Sequence, residues 1–183
     1  MKKFGDFTEI TQFNVNNLTT LIHSMDNEWF DDQSRQTIFK AHQKTFSIML
    51  TDFPLDWNGY GYPTQTSKYF DKFEPAISEI ISTLETYFNG KVGRSLFTKL
   101  PSRCEISTHV DRGYYLEKSH RCHIPIITND EVIFRVDNTI LNLEKGVCYR
   151  IDNNKPHSVI NSSDFDRIHL IVDIIPNSSF MSV

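Results

Sequence analysis

Four residues in the C-terminal half of this 183-residue chain have types and spacings suited to metal and anion chemistry. His109-Val110-Asp111 sets an imidazole and a carboxylate two residues apart, at the end of a run whose composition predicts a strand. Residues i and i+2 of an extended chain project to the same side, so both donors can face one point. A third donor must come from elsewhere, and His157, directly after the turn Asn153-Asn154-Lys155-Pro156, is the candidate. Two histidines and one carboxylate on one face of an octahedron, with the opposite face open, suit a non-haem Fe(II) oxygenase; zinc accepts the same donors. Arg167, ten residues beyond His157, is the fourth.

Arg167 opens the apolar run Arg167–Asp173, as Arg121 opens Arg121–Ile126. A guanidinium inside an apolar strand is costly when it is buried without a partner. A dicarboxylate co-substrate would supply that partner, with charge-assisted contacts of about 1.5–3 kcal/mol each. Protein carboxylates such as Asp173 are the competing partners. Of the seven histidines, His23, His42 and His120 read as ordinary structural or surface residues.

These residues need elements to position them. Helical spacing runs from Asn14 to Met25, and again through Ile77, Ile80, Ile81, Leu84, Tyr87 and Phe88, between Pro75 and the stop signal Asn89-Gly90. Thr45–Leu50 reads as a strand, and Asp56–Pro63 as an aromatic loop in which Trp57, Tyr60 and Tyr62 could wall a substrate mouth. After Gly93 the helical period gives way to seven or eight short β-prone runs punctuated by turns, the pattern of a sandwich or jelly roll. The expected fold is α+β, mainly β: a double-stranded β-helix (jelly roll, cupin-like) core with N-terminal helices packed against it. One domain is expected over 1–183, with a helical and loop part at 1–92, the core at 93–176 and a tail at 177–183.

Composition sets outer bounds. With 19 Lys+Arg against 23 Asp+Glu, the net charge of -4 gives no electrostatic reason to expect nucleic acid or a membrane surface as partner. Cys104, Cys122 and Cys148 show no CxxC or zinc-finger spacing and are expected to be reduced thiols. No run approaches the ~20 apolar residues of a membrane span, and the N-terminus lacks the apolar stretch of a signal peptide. A cytoplasmic setting is the expectation.

The ordered set of motifs resembles the aspartyl/asparaginyl β-hydroxylase family of Fe(II)- and 2-oxoglutarate-dependent oxygenases. The match comprises His109/Asp111, R-x-H-I-P-I at Arg121–Ile126, D-N-x-x-P-H ending at His157, and R-I-H-L-I-V-D at Arg167–Asp173. The resemblance implies a dioxygenase that hydroxylates an amino acid, or an amino-acid side chain in a peptide or protein, and forms succinate and CO2 from 2-oxoglutarate and O2. It implies His109, Asp111 and His157 as catalytic iron ligands. Arg167, helped by Thr98, would hold the distal carboxylate of 2-oxoglutarate, with Arg121 and His123 near its other end. The retained Asp111 argues against halogenation, which usually needs that position vacated. Ile124, Ile126 and Val159 would limit solvent access. The alternatives are a non-catalytic cupin-like module holding a metal or small acid, and a zinc hydrolase, which lacks an obvious general-base Glu.

Overall fold

Two strands explain how charged residues come to sit in apolar runs. The computed structural model describes residues 2–54, 64–113 and 115–180; Trp57, Tyr60 and Tyr62 lie outside them. The strands are β1 (Lys2–Phe4), β2 (Phe7–Gln12), β3 (Phe46–Asp52), β4 (Gln65–Thr66), β5 (Gly90–Leu100), β6 (Cys104–His109), β7 (His120–Ile127), β8 (Val132–Val136), β9 (Thr139–Leu141), β10 (Val147–Ile151), β11 (His157–Asn161) and β12 (Arg167–Pro176). The α-helices are α1 (Asn16–His23), α2 (Ser34–Ile38) and α3 (Ala76–Phe88). Along β7 and β12 nearly every residue is buried, so each strand is covered on both faces. Cys122, Ile124 and Ile126 of β7, with Leu170, Val172 and Ile174 of β12, join the apolar layer under the helices. The period of two then turns Arg121, His123, Arg167, His169 and Asp173 to the opposite face, between the sheets.

The larger sheet runs β1-β2-β10-β7-β12-β5-β3-β4 and the smaller runs β6-β11-β8-β9, all pairs antiparallel. They face one another across a second apolar cluster that includes Phe7, Ile106, Phe134, Tyr149 and Val159. This is the expected mainly-β, double-sheet jelly roll. Helices α1 and α3 lay Leu18, Ile22, Ile77, Ile80 and Leu84 on the outside of the larger sheet. Asn89 caps α3 in the left-handed region, at φ 47°, which Asn tolerates better than most residues.

Three details differ from expectation. The hairpin β1–β2 at one edge of the larger sheet and the short strand β4 at the other were not expected, whereas β3 falls where Thr45–Leu50 reads as a strand. β5 starts at Gly90, directly after α3, because a Cβ there would lie 2.4 Å from the Ile175 carbonyl oxygen and only glycine permits that approach. Ile124 and Ile126 face the helices rather than the site, a direct consequence of His123 facing inward. Val159 does line the interior cavity. The three cysteines are free thiols, with Cys122 and Cys148 buried. No helix among the described residues is long and apolar enough to cross a membrane.

Candidate metal centre and anion cavity

β6 and β11 pair so that His109 and His157 are direct cross-strand partners, with ring centroids 4.3 Å apart. Asp111 follows the end of β6 and donates its backbone N–H to the Asn153 carbonyl at 3.2 Å, which ties it to the turn preceding His157. His109, Asp111 and His157 each offer a ligand atom, all within 4.8 Å of one another. The Nε2 atoms lie 3.8 Å (His109) and 3.5 Å (His157) from the Asp111 carboxylate oxygens.

The ring orientations fit metal binding. Nδ1 of His109 lies 2.8 Å from the Ser107 carbonyl oxygen, and Nδ1 of His157 lies 2.9 Å from that of Lys155. A carbonyl only accepts, so the proton belongs on Nδ1 and the Nε2 lone pair is left toward Asp111. Such a partner on the far nitrogen is the usual support of a ligating histidine. Burial holds the His157 pKa below the ordinary range despite Asp111, favouring the neutral form that can ligate. Burial alone would raise Asp111, but Arg121 and the two histidines hold its pKa below normal.

Arg121 is buried and committed to two carboxylates. Its Nε and Nη2 each donate to Asp173 at 2.8 Å, and Nη1 donates to Asp111. Three of its five donor hydrogens are thus used on protein, which leaves two, and Arg121 also lines the adjoining cavity. Asp173, fully buried on β12, therefore orients Arg121, which in turn orients Asp111.

Behind the metal donors lies a cavity with about 400 Å³ of unfilled space, part of it open to solvent. Three arginines, Arg35, Arg121 and Arg167, line it, and no carboxylate does among the described residues. Arg167 is 1% exposed, and its one described hydrogen bond runs from Nη2 to His169 Nδ1 at 2.5 Å. Burial pushes its pKa down to about 9. Thr98 Oγ1, His123 Nδ1, Arg167 Nε and His169 Nε2 are all buried without a hydrogen-bond partner. Thr98 and His169 are directly paired across β5 and β12, and His123 pairs with Ile171, so these orphaned atoms gather at one end of the barrel. Buried polar atoms are nearly always satisfied by protein, ordered water or ligand, so this cluster is a place where water or a polar ligand would be held.

The structure therefore brings His109, Asp111, His157, Thr98, Arg121, His123 and Arg167 to one interior region. Sequence reasoning missed three participants. His169, two residues from Arg167 on the same face of β12, accepts from its guanidinium, a relation visible in the i, i+2 spacing. Arg35 and His42 reach the site from α2 and the short 3-10 turn Lys40–His42, where no periodic signal announces them. His42 lies edge-on to the His109 ring, centroids 4.9 Å apart.

The buried histidines set a pH dependence. Burial, reinforced by Arg167, holds His123 and His169 well below 6.5, and burial with Arg35 takes His42 to about 3. Folded-state values below the unfolded value mean that the unfolded chain protonates first. Stability is then fully present above about pH 6.5 and is lost as pH falls below it, at up to ~1.4 kcal/mol per pH unit for each histidine. Urea unfolding of the metal-free chain at pH 7.5 and 5.5 checks this, with a shallower loss expected for His123→Gln. Equal stability at both pH values would contradict it.

Comparison with known proteins agrees with this picture. A family model described as aspartyl/asparaginyl beta-hydroxylase matches residues 16–176. No curated protein matches the chain. Among solved structures, a Pseudomonas putida prolyl-4-hydroxylase aligns with TM-score 0.55 at 11% identity, over 94% of this chain and 93% of that one. A viral collagen prolyl hydroxylase from Paramecium bursaria Chlorella virus-1, solved with 2-oxoglutarate, aligns with TM-score 0.55 at 10% identity, over 93% and 96% of the two chains. A 2-oxoglutarate–Fe(II) oxygenase family protein from Burkholderia pseudomallei gives 0.54 at 12% identity, over 72% and 67%. At such identities these likenesses establish a shared fold.

Proposed function

The chain belongs to the aspartyl/asparaginyl β-hydroxylase family, and from that premise we propose that it is an Fe(II)- and 2-oxoglutarate-dependent dioxygenase. Its substrate would be an amino acid, or an amino-acid side chain in a peptide or protein. The observation that carries this reading is Arg167, a fully buried guanidinium with no carboxylate partner among the described residues, lining the same cavity as His109 and His157 of the His-Asp-His cluster. A dicarboxylate fits that cavity chemically: one end neutralises Arg167 and the other approaches the metal donors.

Iron and 2-oxoglutarate, when bound, supply the oxidising power: O2 is consumed, 2-oxoglutarate is converted to succinate and CO2, and a substrate C–H becomes C–OH. His109, Asp111 and His157 would hold the iron through Nε2 and carboxylate oxygens already turned to a common point. Arg167, kept in place by His169, would anchor the distal carboxylate, with Thr98 Oγ1 as a second donor. His123 and Arg121, which line the same cavity, would approach the other end of the co-substrate. Phe134, between the rings of His157 and His169, together with Val159 and Ile171 keeps water from this region. No carboxylate lines the described cavity to serve as the Glu general base that a zinc hydrolase commonly uses.

The test is direct. With Fe(II), ascorbate and 2-oxoglutarate, the purified chain should form succinate and consume O2 slowly alone. It should do so faster with a cognate amino acid or peptide, whose mass rises by one oxygen. Binding of 2-oxoglutarate without succinate formation or O2 consumption under any of these conditions would favour the cupin-like binding module instead.

A further inference from the structure

Beside the inner cavity, and sharing Arg35, His42, His109 and Arg121 with it, lies a vestibule with about 760 Å³ of unfilled space that includes open solvent. Arg35 lines both compartments. Its Nη1 donates to Ser47 Oγ at 2.9 Å and its Nη2 lies 3.3 Å from His42 Nε2. A guanidinium only donates, so His42 accepts with a neutral ring and fixes the arginine without neutralising it. Among the described cations of the vestibule Arg94 and Arg121 each reach a carboxylate, whereas Arg35, Lys40 and Arg112 reach none, and of those three only Arg35 is half-buried rather than exposed. Burial, with Arg121 and Arg94 nearby, lowers its pKa to about 10.

The rest of the vestibule repeats this bias. Its one described carboxylate, Asp111, is already engaged by Arg121. Its apolar surface is contributed by residues such as Ile38 and Phe39, which are 68% and 51% exposed among the described residues. A positive anchor beside open apolar surface, next to a metal-donor cluster, describes the complement of its ligand.

We propose that Arg35 anchors the carboxylate of the primary substrate, and that this substrate is a small apolar carboxylic acid, such as an amino acid with a free carboxylate and an aliphatic or aromatic side chain. The inference rests on the oxygenase reading of the adjoining triad. Arg167 and Arg35 then divide two anionic ligands between them: Arg167 takes the co-substrate deep in the barrel, and Arg35 takes the substrate at its mouth. Ile38 and Phe39 cover the substrate's apolar part, and the carboxylate fixes which carbon faces the metal.

The test is ligand-observed NMR on the full chain, read as dissociation constants. The probes are L-leucine, L-proline, L-phenylalanine, their carboxamides, and N-acetyl-aspartyl amide as a stand-in for an acidic residue inside a polypeptide. At least one free acid should bind, its carboxamide should bind at least tenfold more weakly, and R35Q should lose roughly 10–150-fold, the equivalent of one charge-assisted contact. R35K, which keeps the charge without the planar fork, should recover part of that loss. Titrated separately, 2-oxoglutarate should change less than threefold in R35Q. Equal binding of acids and carboxamides, unchanged binding by R35Q, binding of N-acetyl-aspartyl amide alone, no binding by any probe, or an equal loss of 2-oxoglutarate affinity would each overturn the assignment. Failure to convert 2-oxoglutarate to succinate while the acids still bind at Arg35 would count against the oxygenase reading and leave the carboxylate site standing.

Discussion

His157→Ala should lower Fe(II) affinity by more than about 100-fold while leaving the metal-free chain folded. Loss of a partner that merely orients a ligand typically costs 10–100-fold, so loss of a ligand sets a higher floor. His157 is buried on β11, its Nδ1 is held by the Lys155 carbonyl, and its Nε2 points at Asp111. No other described residue stands in the donor cluster to replace it. The metal-free fold should survive because Asp111 keeps its ion pair with Arg121, and Arg121 its pair with Asp173, so the substitution strands no charge. Titration of the metal-free chain with Co(II), followed by its visible absorption, reads affinity and coordination together, and thermal unfolding reports the fold. An affinity within tenfold of the parent chain would remove His157 from the ligand set. His109→Ala should behave similarly, although His109 is the more exposed of the two.

The same contacts explain why much of this site was legible in the sequence. Period-two alternation is a local property, and it puts His109 and Asp111 on one side before any fold is known; the same rule places Arg121 with His123 and Arg167 with His169, although the spacing alone gives His169 no role. Asp111 itself lies just past the strand and is held by the Asn153 carbonyl rather than by sheet pairing. What stayed hidden depends on packing between distant segments. Arg35 and His42 belong to a five-residue helix and a 3-10 turn with no amphipathic stripe, and their place at the metal donors comes from docking onto β6 and β3. Composition likewise could not decide between a protein carboxylate and a co-substrate as the partner of each buried arginine. Arg121 received two carboxylates and Arg167 none among the described residues: Asp173 lies across β7–β12 from Arg121 in direct register, while Arg167 lies across β5–β12 from Leu100 and meets His169 along its own strand.

That asymmetry yields the prediction of largest consequence, which is that Arg167→Met should stabilise the ligand-free chain and abolish its response to 2-oxoglutarate. A buried charge without a counter-ion carries a desolvation cost that a hydrogen bond to a neutral imidazole offsets only in part. The lowering of the Arg167 pKa to about 9, caused by burial, is the same cost seen from the protonation side. Methionine fills comparable apolar volume beside Phe134, whose ring the guanidinium now faces at 5.9 Å, and replacing buried ionic groups by packed apolar atoms is often neutral or stabilising, by up to about 4 kcal/mol. Binding should change in the opposite sense. Two charge-assisted contacts to a carboxylate, at about 1.5–3 kcal/mol each, correspond to a loss on the order of 10²–10⁴ in 2-oxoglutarate affinity. Urea unfolding with and without saturating 2-oxoglutarate measures both effects in one experiment. The parent chain should gain stability from the ligand, whereas the variant should start higher and gain nothing. A variant that is less stable without ligand would mean that Arg167 is already neutralised within the protein. A variant still stabilised by 2-oxoglutarate would place the anion elsewhere. The combination expected here, greater stability and lost binding, follows only if the buried charge is kept for a ligand and not for the fold.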